Sequence, residues 1–570
     1  IKGPSGTLVA VTDAKGDYRF ARVTPGPYKL TARLQGFQTY EASRIAVALG
    51  DRATVNVTLK ISSVMETVVV TGERVQIAVG ENSTTATMAS EQISLLPKGR
   101  DFTSIVAQAS GASQETLLLG GISIDGASGS ENRFVIDGVD TTQPQDGLSG
   151  QQMITDFIEE VQVKSAGYSA EFGGALGGVI NAITKSGTNE FHGFVGLYYG
   201  DSSLNANANG SDRKFYQQSW VDPNDPTNQA KWYYRTFDKD DATSIEPGFA
   251  LGGPIIQDKL WFFAGYNPNI RSDSRTPYNQ NTSYDMDRIN HFFSANLKGN
   301  VGSKFVYKIS ANITPFKQEG NLPAFDGSTP PEADLSVDTE IPTSSYYAYA
   351  DFVPTSNFYV SGRVGMYDSD TQTGGIDATS RIFFRNGIAP FPEGDPLYRP
   401  TNFASVPLAS FRQTDEDSWK RTSAGVDFNL FANALGSHAF KAGVQYELIK
   451  NKVVFGDNGN LFEVRWGLAD RFGQGVRGTY GSVAVYRFQT VGSAESTNIG
   501  LYLQDTWTVH PNLTLNLGVR TEQERVPNYG FEKDPTLPQY AMEFDFEDKL
   551  APRLGFSWDV TGKQQLKAYG

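Results

Sequence analysis

The clearest signal along the chain is alternation. From about residue 190 onward, segments of about 10 to 13 residues switch between apolar and polar at successive positions. Ala424, Val426, Phe428 and Leu430 form one face of such a segment; Gly425, Asp427 and Asn429 form the other. Phe440, Ala442, Val444 and Tyr446 oppose Lys441, Gly443, Gln445 and Glu447. Leu513, Leu515, Leu517 and Val519 oppose Thr514, Asn516, Gly518 and Arg520. Leu554, Phe556, Trp558 and Val560 oppose Arg553, Gly555, Ser557 and Asp559. A period of two predicts β-strands with one dry and one wet face. Strands of this length, tilted, cross the ~30 Å apolar core of a bilayer.

The connections alternate as well. Short turns near Gln257-Asp258, 299–303, Thr355-Ser356, Leu435-Gly436, Pro511-Asn512 and Thr561-Gly562 separate long polar stretches at 201–246, 269–289, 315–344, 368–420, 449–495 and 525–547. Short turns on one side and long loops on the other predict a transmembrane antiparallel β-barrel of the bacterial outer-membrane kind. A soluble sandwich explains neither the strand length nor why only every second connection is long. About twelve full strands are expected, with a thirteenth starting at "QQLKAYG" and running to Gly570. An open edge in lipid leaves backbone groups unsatisfied, so the closed barrel is expected to need further chain.

Three regions precede the barrel, which is assigned to 191–570. Residues 1–60 carry short alternating strands (Tyr18/Phe20, Tyr28/Leu30/Ala32, Val55/Val57/Leu59) broken by Gly and Pro turns, and predict a small β-sandwich. The chain enters a strand almost at Ile1, so its true beginning is expected to be missing. Residues 61–75 hold "METVVVTG", a β-branched strand closed by Gly72 and followed by a polar, weakly patterned stretch. A lone strand with open edges is a liability unless it has a partner. Residues 76–190 read as mixed α/β. Ser90 is expected to cap a helix bearing Ile93 and Leu96; Pro97 and Gly99 interrupt it, and Phe102, Ile105 and Val106 form a second. Strands follow at "RFVIDGVDTT" and "IEEVQVKSA".

Composition then limits the chemistry. The 570 residues include 58 glycines and no cysteine. The lack of cysteine excludes a disulfide scaffold, a Cys-ligated zinc site and a cysteine nucleophile. A formal charge of −14 argues against a nucleic-acid partner. No run of about 18 apolar residues exists to form a membrane-spanning helix. The mean hydropathy of −0.36 does not speak against a barrel, whose apolar residues hide at every second position.

Candidate chemical groups reduce mostly to structural readings. Gly167, Gly173, Gly174, Gly177 and Gly178 allow tight turns in a crowded lumen; a phosphate loop would require a following Gly-Lys-Ser/Thr, which is missing. Glu159 and Glu160 are read as solvated or as partners of lumenal arginines rather than as an acid–base pair. His192, His291, His438 and His510 are scattered singly, against a zinc site. Asp238, Asp240 and Asp241 in "FDKDDAT" lack a full calcium-loop pattern. Trp261, Phe262, Phe263, Trp507 and Trp558 are read as aromatic-belt anchors, with sugar stacking in the lumen as the alternative.

Taken in order, these segments resemble the TonB-dependent outer-membrane transporters. "ETVVVT", with Glu66, Thr67, Val68, Val69, Val70 and Thr71, looks like a TonB box. "FVIDGVD" (134–140) and "FIEEVQVKSAGYSAEFGGALGGVINAITKSGTNEFHG" (157–193) look like the second half of the family's plug domain. "NIGLYLQDTWTVHPNLTLNLGVRTE" and "LAPRLGFSWDVTG" look like hairpins of its barrel. "TDAKGDYRFARVTPGPYKLTARLQGF" resembles a carboxypeptidase regulatory-like domain, a non-catalytic module; with "GFALGGPIIQDKLWFFAGY" it points to the Oar-like branch.

The resemblance implies a mainly β fold: a barrel of ~22 strands, of which 12–13 are present here, an α/β plug in its lumen, and an N-terminal β-sandwich in the periplasm. It implies TonB, with ExbB and ExbD in the inner membrane, as the energy-coupling partner, outer-membrane lipid and lipopolysaccharide as surroundings, and an extracellular substrate. Neither cofactor nor metal is implied. A passive porin-like, adhesion or secretion-related barrel is the alternative. A β-type enzyme finds no Ser/His/Asp grouping or nucleotide loop, though a carboxylate-pair glycosidase stays open on sequence. With TonB absent, residues from about 62 to 80 are expected to lie loosely beside the N-terminal domain.

Overall fold

The computed structural model describes residues 1–570 except 5, 13–15, 21–22, 24, 48–52, 54, 62–66, 72–83, 116–119, 206–213, 219–231, 237–238, 279–280, 303, 326, 328, 330–334, 375–380, 387–411, 458–460, 467–480, 487–488, 532–533 and 563–564. No helix among the described residues is long and apolar enough to cross a membrane.

The N-terminal region forms a sheet from β1 (Lys2–Gly3), β2 (Gly6–Thr7), β3 (Gly26–Ala32), β4 (Thr39–Val47) and β5 (Thr67–Thr71), ordered β2-β1-β3-β4-β5. Tyr28, Leu30 and Ala42 are its buried apolar residues. The segments around Tyr18 and Val55 run as extended chain, tied by donation from the Tyr18 hydroxyl to the Val55 carbonyl at 2.6 Å. For Thr67–Thr71 the expectation of a loose segment is corrected here; 62–66 and 72–80 of that expectation lie outside the described residues. β5 pairs in parallel with β4, covering an edge that the nine-residue β4 would otherwise leave open. Glu66 lies outside the described residues.

The plug is a second sheet, built from β6 (Thr84–Ala89), β9 (Arg133–Ile136), β10 (Val139–Asp140), β11 (Ile158–Ala166) and β12 (Val179–Thr184) in the order β10-β9-β12-β11-β6; the short pair β7 (Ala112–Gln114) and β8 (Ile122–Ile124) stands apart. Two short helices cover it, α1 (Ser90–Leu95) and α2 (Thr103–Val106), broken near Pro97 and Gly99 as expected. Ser90 is the first helical residue rather than the cap: Ala89 takes the N-cap position, without a side-chain bond. Ile93, Phe102, Ile105, Phe134, Ile136, Phe157, Val161 and Ile180 form the core, each at most 2 % exposed.

The barrel is one 16-stranded sheet whose main path runs through thirteen antiparallel strands from His192–Asp201 to Lys567–Tyr569. Those two end strands do not pair with each other, so the described sheet is an open arc. Its burial pattern is inside-out relative to a soluble protein. Val426, Phe428 and Leu430 are 40–46 % exposed on the outer face, whereas Asp427 and Asn429 between them are 0 % and 6 % exposed within the lumen. Leu554, Phe556 and Trp558 point out, and Ser557 and Asp559 are buried inward. An apolar exterior around a polar interior is what a barrel surrounded by lipid requires.

Several predicted loops are shorter than expected because the strands continue into them. Arg412–Asn433, Ser437–Asp457 and Gln489–His510 are 22, 21 and 22 residues long. A tilted strand needs only ~10 residues to cross the apolar layer. The remainder stands above it as paired hairpin, where ladder bonding satisfies backbone groups that a loop would leave to water. The aromatic assignment also changes in part. Trp558 faces outward, but Trp261 and Phe263 are 0 % and 2 % exposed and face the plug. In "LWFF" both faces of the strand are apolar, because one meets lipid and the other meets the plug core.

Candidate functional site

The plug is held by two different kinds of contact. Along the strands Asp241–Ile256, Leu260–Arg275 and Tyr284–Val301, its core continues into the wall through Ala250, Phe263 and Phe292. Phe157 of the plug meets Phe194 and Phe263 at ring-centroid distances of 6.2 and 6.3 Å, the latter edge-on. This side is mainly apolar, with polar contacts from Asn290 to Gln152 at 2.8 Å and from Asn296 to the Lys185 carbonyl at 2.7 Å beside the packing. The rest of the plug's circumference is mainly polar, with one small apolar contact where Val139 packs against Tyr347 and Tyr367 of the wall.

The β9–β10 hairpin supplies the first polar anchor. Asp137-Gly138 is its two-residue turn, with φ of +50° and +93°; an Asp-Gly pair with both φ positive suits the twist of a tight hairpin. The turn drives the Asp137 carboxylate against the wall, where it accepts from Lys308 Nζ at 2.8 Å and from the Thr184 amide and hydroxyl at 3.0 and 2.6 Å. Burial alone would raise this carboxyl, and Lys308 with Thr184 outweighs burial and holds it below the ordinary value. Lys308 stands directly opposite Lys298 on the neighbouring strand, both buried. Like charges so placed repel, and Asp137 is the carboxylate set against them.

Asp140, at the other end of the hairpin, lies between two arginines. Arg133 of the plug is 2.9 Å away and Arg421 of the wall 3.3 Å, and Arg421 also donates to the carbonyls of Asp140 and Thr142 at 3.1 and 2.7 Å. Burial again pushes the Asp140 carboxyl up, and the two guanidinium groups more than reverse it.

The third anchor is the strap between β11 and β12, residues 167–178. Glu171 pairs with Lys441. Arg520 donates to the Ala170 carbonyl at 3.2 Å, Gln445 to the Glu171 carbonyl at 3.0 Å and Arg553 to the Tyr168 carbonyl at 3.2 Å. The Ala170 amide donates to Gln504 at 2.9 Å. Burial would raise the Glu171 carboxyl, but Lys441, Lys164 and Ser169 bring it from 4.5 down to about 2. The five predicted glycines all lie in this strap. Gly174 has φ +71°, and a Cβ at Gly173 would come within 2.6 Å of the Arg520 side chain. On the mainly apolar side, Arg100 bridges Asp156 of the plug at 2.7 Å and Glu246 of the barrel at 2.9 Å.

Glu159 and Glu160, expected to be solvated or to pair with lumenal arginines, are not both solvated. Glu160 is buried within the plug sheet, and burial pushes the half-buried Glu159 above its ordinary value. Asp137, Asp140 and Glu171 do the anchoring. The signal for Asp137 and Asp140 was present in "FVIDGVD", where two carboxylates interrupt an apolar hairpin. Asp240, considered for calcium, is held by Arg275 at 2.6 Å; Asp238 lies outside the described residues. Of the histidines, His438 pairs with Asp505 at 2.7 Å, and no His/Asp/Glu group suited to a metal forms among the described residues.

Below the strap a cavity of about 2540 Å³ runs between the plug, the N-terminal domain and the wall. The N-terminal domain meets the wall at the short-turn end. Arg19 lies 3.3 Å over the Phe431 ring and donates to the Ser356 carbonyl at 3.2 Å, and Asn433 donates to Asp17 at 3.1 Å.

Fold and lumen together define a plugged outer-membrane β-barrel with a domain on its short-turn, periplasmic side. Family comparison agrees segment by segment. Residues 2–60 match the carboxypeptidase regulatory-like domain, 80–179 the TonB-dependent receptor plug domain and 275–568 the outer membrane beta barrel domain. The chain belongs to the outer-membrane β-barrel family of TonB-dependent transporters. It is 28 % identical to the TonB-dependent transporter Oar of Myxococcus xanthus across 99 % of this chain and 58 % of that protein. Among solved structures it resembles the outer membrane transporter YddB of Escherichia coli (TM-score 0.57, 16 % identity, 85 % of this chain and 60 % of that one). It also resembles the siderophore receptor PirA of Acinetobacter baumannii (TM-score 0.50, 14 % identity, 84 % and 59 %). The chain thus spans under two thirds of the length of these relatives, which are transporters and receptors rather than enzymes.

Proposed function

We propose that this chain works in energy-coupled transport of a large or scarce substrate across the outer membrane. The plug closes a lumen too wide to leave open. Substrate binds from outside to the tall hairpins and the plug apices. That binding changes the state of the segment at 66–71 on the periplasmic side. TonB pairs with this segment by β-strand addition, in which main-chain hydrogen bonds supply affinity. With ExbB and ExbD it transmits the inner-membrane proton gradient as a pull that remodels the plug.

The observation that carries this reading is the asymmetry of the plug's attachment. One wall is joined mainly by buried apolar packing, while the rest is joined mainly by ion pairs and hydrogen bonds around Asp137, Asp140 and Glu171. Polar contacts of this kind exchange for water when they open, so the plug has a releasable side.

Val69→Pro tests the coupling segment, because proline removes a donor from the added strand. The variant is expected to fold and to bind substrate as the parent does, but to lose both uptake and binding of TonB's purified periplasmic domain. Unchanged TonB affinity in Val69→Pro removes the box assignment. Small-solute conductance in liposomes with the plug in place favours a passive porin instead.

A further inference from the structure

Strand β5 has two edges, and β4 uses only one. Thr67–Thr71 pairs with β4 from Thr39↔Thr67 to Ser43↔Thr71, and β5 ends the sheet order. In an extended strand, successive residues turn their N–H and C=O groups to opposite sides. A parallel neighbour therefore engages every second residue of β5. The intervening residues present their donors and acceptors outward, and no other described strand pairs with them. The five residues contain no proline, so nothing in that row lacks a donor.

We propose that TonB's strand adds to this outer edge while β5 stays paired to β4. This rests on the reading of 66–71 as the TonB box. The docking surface is then composite, the N-terminal domain's five-stranded sheet growing to six, rather than a free peptide that TonB must catch. The pairing with β4 orders the box beforehand, so less backbone freedom is lost on binding. A pull on the box is shared with the N-terminal domain, which rests on the periplasmic rim through Arg19 and Asp17.

The chain has no cysteine, so introduced pairs are the only thiols. Thr39→Cys with Thr67→Cys, and separately Ser43→Cys with Thr71→Cys, place thiols at facing positions of β4 and β5 with little change of size. Affinity for TonB's purified periplasmic domain is measured for the full chain in detergent, oxidised and reduced. The two forms are expected to bind within about threefold of each other. Amide exchange on the untouched chain is the second measurement: alternate β5 amides gain protection on adding TonB's domain, while the amides bonded between β4 and β5 keep theirs. A loss of tenfold or more on oxidation, restored by reductant, or loss of β4–β5 protection on binding, shows that the box must peel away and overturns the composite surface. Binding in neither form, with the unmodified chain also silent, overturns the TonB-box reading itself.

Discussion

Asp137→Asn puts the plug's deepest anchor to the test. The side chain keeps its shape but loses its charge. In the parent the carboxylate, 1 % exposed, accepts three hydrogen bonds, one of them from Lys308, whose side chain is 9 % exposed. Asparagine retains one acceptor oxygen and turns an NH₂ group toward donors it cannot satisfy. Lys308 is left facing Lys298 across the strand pair without that counter-charge. Breaking a buried ion pair from one side costs about 3–5 kcal/mol. That corresponds to roughly a 10²- to 10⁴-fold shift toward the undocked hairpin. The assay is amide exchange of β9, β10 and β12 in the purified protein, with the barrel's lipid-facing strands as internal control. Protection of these plug strands is expected to fall by at least a hundredfold while the barrel's is unchanged. Lys308→Met combined with Asp137→Asn removes both charges, and is expected to cost less than the sum of the single changes by about 0.5–3 kcal/mol. A fall below tenfold in Asp137→Asn, or strictly additive effects, refutes the reasoning.

Two further outcomes follow from the same geometry. The Glu171 carboxyl ionises at about 2 in the folded chain rather than at 4.5, so its anchoring is full at neutral pH and is lost as acidification passes from about 4.5 down through 2; strap protection measured between pH 7 and 3 is expected to hold to about pH 5 and then decline, and in Glu171→Gln the Glu171-dependent part of that decline disappears. Val426→Arg places a charge within the outer apolar band, where Val426 is 40 % exposed, and is expected to destabilise membrane insertion by about 2–4 kcal/mol in urea titrations from liposomes.

The barrel was legible because its code is local. Alternation at Val426, Asp427 and Phe428 needs no knowledge of any other strand to assign one face to lipid and the other to the lumen. The order of a small β domain, a lone strand, an α/β segment and a barrel was likewise readable from punctuation and period. Glycines in the strap at 167–178 announced tight turns. What defeated sequence reading was every case in which a residue's surroundings came from far along the chain. Asp137 and Lys308 are 171 positions apart, and Arg421 reaches the Asp140 carbonyl across 281. Glu159 and Glu160 had as good a claim by type, but Glu160 is buried in the plug sheet and Glu159 is half-buried.

Strand β5 marks the same division. Its β-branched run determined that it would be extended, and its isolation raised the question of a partner. Only the tertiary structure decided that the partner on one side is β4 and that the other side is open. Trp261 and Phe263 show it in the barrel. Their apolar character was fixed by sequence, but whether they met lipid or plug depended on what filled the lumen. Local periodicity dictates which way a side chain points; the identity of what it meets is set by long-range packing, which no window of the sequence contains.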